Sequence, residues 1–154
     1  MHRSGFWLDA AGVSSLVLVW LVSMVFLPAL PERIVVHFDA SGRPDGFGPA
    51  AVAWSLPVVS SVLFVLLSVV GRNPSRFNYP VTITSENADY QYALASDFIR
   101  ISKMILQGVF LALLWVTIES SDGSAPGWAV WLLPMCITAV LLPLFIYVWR
   151  ASRC

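Results

Sequence analysis

The chain has 154 residues, of which 58% are hydrophobic and 12% charged, with no net charge at neutral pH. Soluble domains carry roughly 25% charged residues, so this composition excludes an ordinary water-facing surface. The balanced charge gives no support for a nucleic-acid partner.

Residues 11–30, 50–71, 104–118 and 127–149 form four runs without Asp, Glu, Lys, Arg or His. A membrane-spanning helix needs roughly 20 predominantly apolar residues. The first, second and fourth runs meet that directly. The third does so when extended back through Phe98 and Ile101, with Lys103 snorkelling to the headgroups. The predicted fold is an all-α integral membrane protein with four transmembrane helices at about 11–30, 50–71, 98–118 and 127–149. An outer loop, 31–49, and a cytoplasmic loop, 72–97, complete a single polytopic membrane domain. The runs are too long, and alternate too little, for a β-barrel.

Placing both termini and the stretch from Arg72 to Lys103 on one side gathers seven of the nine basic residues there: Arg3, Arg72, Arg76, Arg100, Lys103, Arg150 and Arg153. The positive-inside rule makes that side cytoplasmic and predicts a multi-pass protein of the cell membrane. Trp54, Trp115, Trp128 and Trp131 then cluster at the outer interface and Trp7 and Trp149 at the inner one, as aromatic belts do. Trp20, in mid-run, fits neither belt. A cleaved signal peptide is the competing reading of the first run, but its apolar region is long and no clear cleavage motif follows.

No ionisable group is expected at membrane depth. Ser14, Ser15, Ser23, Ser60, Ser61, Ser68, Gln107, Thr117 and Thr138 are the polar positions within the spans, expected to bond their own backbone or a neighbouring helix. Pro57, Pro134 and Pro143 predict kinks in the second and fourth helices. Gly108 and Ala112 form a small-xxx-small pair suited to close helix approach.

In the outer loop, residues 32–39 can form a strand, with Ile34, Val36 and Phe38 on one face and Val35, His37 and Asp39 on the other. Gly42 can take a positive φ. Arg43, Pro44, Asp45 and Gly46 fit a type I turn. His37, Asp39 and Asp45 are the candidate binding residues. Three readings compete: a metal site with Glu32 nearby, acid–base chemistry at His37, or a structural hairpin whose His37 and Asp39 hold the turn. A single histidine and no obvious nucleophile favour the last. No catalytic residue, metal or cofactor is assigned. Cys136 and Cys154 read as free thiols.

In the cytoplasmic loop, residues 77–83 look extended. Thr84 is the expected N-cap of a helix starting near Ser85 and running without a break into the third span, with Glu86 and Asp89 suiting its dipole. Tyr90, Leu94, Phe98, Ile101 and Ile105 recur at helical spacing as one apolar stripe. That stripe suits either packing at the inner membrane face or a docking surface for a cytoplasmic partner.

Leu30-Pro31-Glu32-Arg33-Ile34-Val35-Val36-His37-Phe38-Asp39, followed by Gly42, Pro44, Asp45 and Gly46, resembles the signature of the prokaryotic domain-of-unknown-function 1648 family. Val35 stands where that signature usually has proline. Asn73, Pro74, Phe77, Asn78, Tyr79, Pro80, Thr84, Glu86, Asn87, Gln91 and Tyr92 are similar to the middle loop of its small stand-alone members. The resemblance marks Pro31, Phe38, Gly42, Pro44, Gly46, Asn78, Tyr79, Pro80 and Asn87 as structural motif positions. It implies a prokaryotic membrane protein. The domain also occurs in larger SdpI-type immunity proteins, which resist a secreted killing peptide and signal to a repressor. The functional expectation is a non-enzymatic binding, sensing or immunity-like protein with a cytoplasmic docking loop. The alternatives are an accessory subunit of a larger membrane complex or transporter, and an outer-surface enzyme using His37. Expected partners are the lipid bilayer, a second copy of the chain, or a membrane or cytoplasmic protein.

Overall fold

The computed structural model describes residues 3–153, the side chains of Arg3 and Ser4 excepted. Cys154 and the Arg3 side chain counted above therefore lie outside the described residues. The order is α1 (Arg3–Phe26), β1 (Arg33–Phe38), β2 (Pro44–Pro49), α2 (Ser55–Val70), α3 (Ala88–Glu119) and α4 (Leu132–Ala151), with short 3-10 turns between them. Four helical segments are long and apolar enough to cross a membrane. A two-stranded antiparallel hairpin joins the first two.

α3 is the central element and packs against α1, α2 and α4. Its buried positions include Gln91, Ala95, Lys103, Gln107, Phe110 and Leu114. The outward faces carry exposed Val25, Val65, Leu141 and Phe145. An apolar surface of that extent suits contact with lipid rather than water. Of α4's described side chains, only Ala151 is buried, so this helix lies at the periphery.

The apolar core sits at the hairpin end. Leu27, Ile34, Ala53 and Leu114 form it, with Val22, Leu30, Leu56 and Ile118 packed around. The hairpin thus supplies a core residue and is wedged into the mouth of the bundle. Full burial of an isoleucine side chain stabilises by roughly 1.5–3 kcal/mol relative to exposure.

Several expectations are corrected. α1 starts at Arg3, because Asp9, which ended the charge-free run, finds cationic partners on α3. α3 starts at Ala88, three residues after the expected start near Ser85, and runs unbroken through the predicted span at 98–118, so the irregular loop ends at Asn87. The cap position is Asn87 rather than Thr84, and no side chain caps it. Instead Asn87 Oδ1 accepts the Thr84 N–H at 2.9 Å and its amide donates to Thr82 O at 3.1 Å, folding the preceding turn. Glu86 therefore precedes the helix, while Asp89 lies in its first turn. Pro57 and Pro134 occupy the third positions of α2 and α4, where a missing N–H costs no intrahelical bond. Pro143 alone is interior to its helix.

The strand alternation is also broken. Ile34 and Val35 are both buried while Val36 is exposed, and beyond Val35 the pairing slips between Val35 and His37 and again between His37 and Phe38. A bulge of this kind shifts which face later residues present. Arg43–Gly46 is not a turn. Pro44 opens β2, and the reversal lies at Asp39–Arg43.

Candidate functional site

The tip of the hairpin is organised by Asp39. Its Oδ1 accepts from Ser41 N–H at 2.8 Å, Ser41 Oγ–H at 2.7 Å and Arg43 N–H at 2.9 Å. The backbone closes the same loop, with Asp39 N–H donating to Arg43 O and Gly42 N–H to Asp39 O. The bond from the Ser41 hydroxyl, and then that from the Arg43 amide, hold the Asp39 carboxyl below the usual carboxylate range.

Gly42 has φ 77° and rests on the turn leading into α4. A Cβ there would lie 2.5 Å from Val130 N and 2.8 Å from Ala129 C, so both conformation and space require glycine. His37 pairs through Nδ1 with the Asp45 carboxylate, with both side chains well exposed. Gly46 lies opposite His37 in the register, and a Cβ at Gly46 would come within 2.8 Å of His37 Cβ. The three predicted binding residues therefore divide: His37 and Asp45 meet across the strands, while Asp39 turns to the loop backbone. Among the described residues no three His, Cys, Asp or Glu side chains converge as metal ligands.

Pro31 is exposed ahead of β1, and Phe38 and Pro44 are paired across the hairpin. Beneath the hairpin runs a groove of about 610 Å³. Phe38, Val109, Leu113, Val130, Leu133 and Cys136 give it apolar walls, and His37 and Asp39 stand at its rim. Close by, Glu119 accepts from the indole N–H groups of Trp115 at 2.9 Å and Trp128 at 2.7 Å. In the adjoining turn, Asp122 accepts from the Ser124 hydroxyl and amide, which hold its carboxyl below the usual range.

At the opposite end, where the termini and the 71–87 loop lie, a second polar group is assembled. Arg100 Nε donates to Asp9 at 3.1 Å and its Nη1 to Asp97 at 3.0 Å. Lys103 Nζ donates to Asp9 at 3.2 Å, lies 3.4 Å from Ser68 Oγ and sits 5.0 Å from the Phe64 ring centroid. Lys103 is only 7% exposed, so it does not snorkel but pairs inside the bundle. A polar ladder continues along α2 and α3. Gln107 Nε2 donates to Ser60 O at 3.3 Å, and the Ser60 hydroxyl donates to Gln107 Oε1 at 3.0 Å. Trp20 Nε1–H donates to Ser61 Oγ at 2.9 Å, which explains the tryptophan in mid-run. Ser15, Ser23, Ser61, Ser68 and Thr117 donate to carbonyls four residues back in their own helices.

In the loop beside this cluster, Tyr79 donates to Pro74 O at 2.8 Å and its ring meets those of Phe77 and Tyr92. Burial, reinforced by Tyr147 and Tyr92, pushes its hydroxyl up to about 12. Asn78 and Pro80, its neighbours in the motif, are exposed. The predicted stripe on α3 turns toward α4: Tyr90, Leu94, Phe98 and Ile101 line a cleft with Leu142 and Ile146. Phe98 stacks on Tyr147 with ring centroids 4.8 Å apart. Sequence reading missed the Asp9–Arg100–Lys103 cluster. Its available signal was the spacing of Arg100, Lys103 and Gln107 at steps of three and four, which puts these polar side chains on one face of a helix.

Residues 15–60 match the family described as "Domain of unknown function (DUF1648)". The matched stretch runs from α1 through the hairpin into α2. An "Uncharacterized protein" of Archaeoglobus fulgidus is 25% identical over 153 residues, covering 90% of this chain and 84% of that protein. No solved structure matches.

Proposed function

We propose that this multi-pass membrane protein is a non-catalytic binding or sensing protein of the cell membrane. Its hairpin faces outward and takes an amphiphilic ligand, a lipid or an apolar peptide segment, into the groove between hairpin, α3 and α4. The observation that carries this reading is the groove itself: apolar walls from Leu113, Val130 and Leu133 under a rim formed by His37 and Asp39. An amphiphile matches both parts, burying its apolar portion while its polar end stays at the rim. The non-catalytic reading is supported by Asp39, whose carboxylate is engaged by the turn backbone. The excess of basic residues at the terminal end supports placing the hairpin outside. α3 runs from the groove to the terminal loop as one helix, which supports relay of occupancy to a cytoplasmic docking surface.

The test is site-specific photocrosslinking in native membranes, with a benzophenone side chain at Val130 or at outward-facing Val62. A discrete adduct at Val130 that is missing at Val62 is expected. The same adducts at both positions would sink the idea. Orientation is read separately, in a Cys136→Ser, Cys154→Ser background. Ser41→Cys should react with an impermeant thiol reagent from outside and Ser75→Cys should not; reversed labelling would invert the topology.

A second reading, an accessory subunit of a larger complex, is favoured by the open face around Gly108. A Cβ there would meet nothing within 4 Å, and a groove of about 400 Å³ runs past Leu18, Val22 and Ala112. Native mass spectrometry of gently solubilised membranes distinguishes it: a heteromeric species lost on Gly108→Leu supports the subunit, and a monomer counts against it.

A further inference from the structure

At the terminal end, a cleft of about 340 Å³ opens between α1, the end of α2 and α3, lined by Asp9, Ser68, Arg72, Ser96, Arg100 and Lys103 among others. We infer that this cleft is a binding site for a phosphate-bearing anion, either the headgroup phosphate of an anionic lipid or a free phosphate species. The charges set the expectation. Arg72, Arg100 and Lys103 face Asp9, and Asp97 pairs with Arg100. Three cations thus meet two acids beside the membrane-spanning segment, where uncompensated charge is expensive. Asp9 is already shared between Arg100 and Lys103.

The donors are in place as well. Arg100 uses Nε and one Nη1 hydrogen on the two acids, leaving its Nη2 group without a partner among the described residues. Arg72 has no side-chain partner among the described residues, while its backbone N–H is held by Val69 O. Two guanidinium groups with unused planar donors suit the tetrahedral oxygens of a phosphate, and a buried lysine behind them adds fixed positive charge. Basic pockets at the ends of membrane helices recognise phospholipid headgroups through this chemistry. This inference concerns the opposite end of the molecule from the groove and does not depend on it.

The test uses the full chain in nanodiscs of phosphatidylcholine alone or with one-third phosphatidylglycerol, with thermal unfolding and native mass spectrometry as readouts. A rise in Tm and retained phosphatidylglycerol in the mixed discs identify a lipid headgroup. A rise on adding inorganic phosphate to phosphatidylcholine discs, against chloride at equal ionic strength, identifies a free phosphate species. Arg72 is exposed, so Arg72→Gln should fold and weaken the response about fivefold, as expected for removing one cation near a membrane surface, while Arg72→Lys should recover part of it. No response to either probe, or an equal response in Arg72→Gln, overturns the site.

Discussion

At the hairpin end, Ile34 is packed with Leu27, Ala53 and Leu114, Val35 is buried beside it, Gly42 is pressed onto the backbone before α4, and Asp39 closes its own turn. At the terminal end, the same four helices are held by Asp9, Arg100, Lys103 and Gln91, with open clefts between them. Apolar burial is non-directional and demands close packing. Ion pairs and hydrogen bonds fix a few atoms and tolerate space around them. One chain has thus built a wedge at one end and a ring of pinned contacts at the other.

Substitutions can break this contrast in a graded way, read by reversible unfolding in mixed micelles. Ile34→Ala removes a core side chain and should cost about 3 kcal/mol. A loss under about 1 kcal/mol would show that the hairpin is not part of the core. Gly42→Ala forces a side chain into a left-handed conformation and against Val130, and should cost about 2–3 kcal/mol. Asp9→Asn leaves Lys103 buried with a weaker partner. Because Asp9 is itself half exposed, a smaller loss of about 1–2 kcal/mol is expected. If it exceeds the Ile34→Ala loss, the polar end is the stronger of the two. His37→Ala should change stability by less than about 0.5 kcal/mol, since the pair with Asp45 is exposed.

The pH dependence sharpens the comparison at a single turn. The folded Asp39 carboxyl titrates below its unfolded counterpart. Its contribution is therefore complete above about pH 4 and is lost as pH falls through the lower folded value. The Ser41 and Arg43 amide resonances should hold steady between about pH 7 and 5 and move below about pH 4. Movement near neutral pH would assign the turn to another group.

The spans were legible because a long charge-free run has few folded alternatives. The hairpin was legible because Gly42 and Pro44 punctuate it. Its register was not, since the slips on either side of His37 leave no mark in the apolar pattern. Nor was the pairing of Asp9 with Lys103, 94 residues apart: a charge beside an apolar run looks like its boundary until the opposite charge on another helix is placed. The start of α3 was misplaced because Thr84 has a capping side chain, yet the Asn87 amide secures the turn. His37, Asp39 and Asp45 lie in one hairpin, but sequence alone does not say which two would face each other.

α3 also acts as a measuring rod. Its 32 residues extend about 48 Å at 1.5 Å per residue, against a hydrocarbon layer of about 30 Å. About 18 Å, roughly three turns, must stand beyond that layer or be taken up by tilt. The helix contains no proline and a single glycine, so it has no joint at which to bend. A few degrees of tilt at Trp115 would therefore reach Tyr90 as a lateral sweep of the whole shaft.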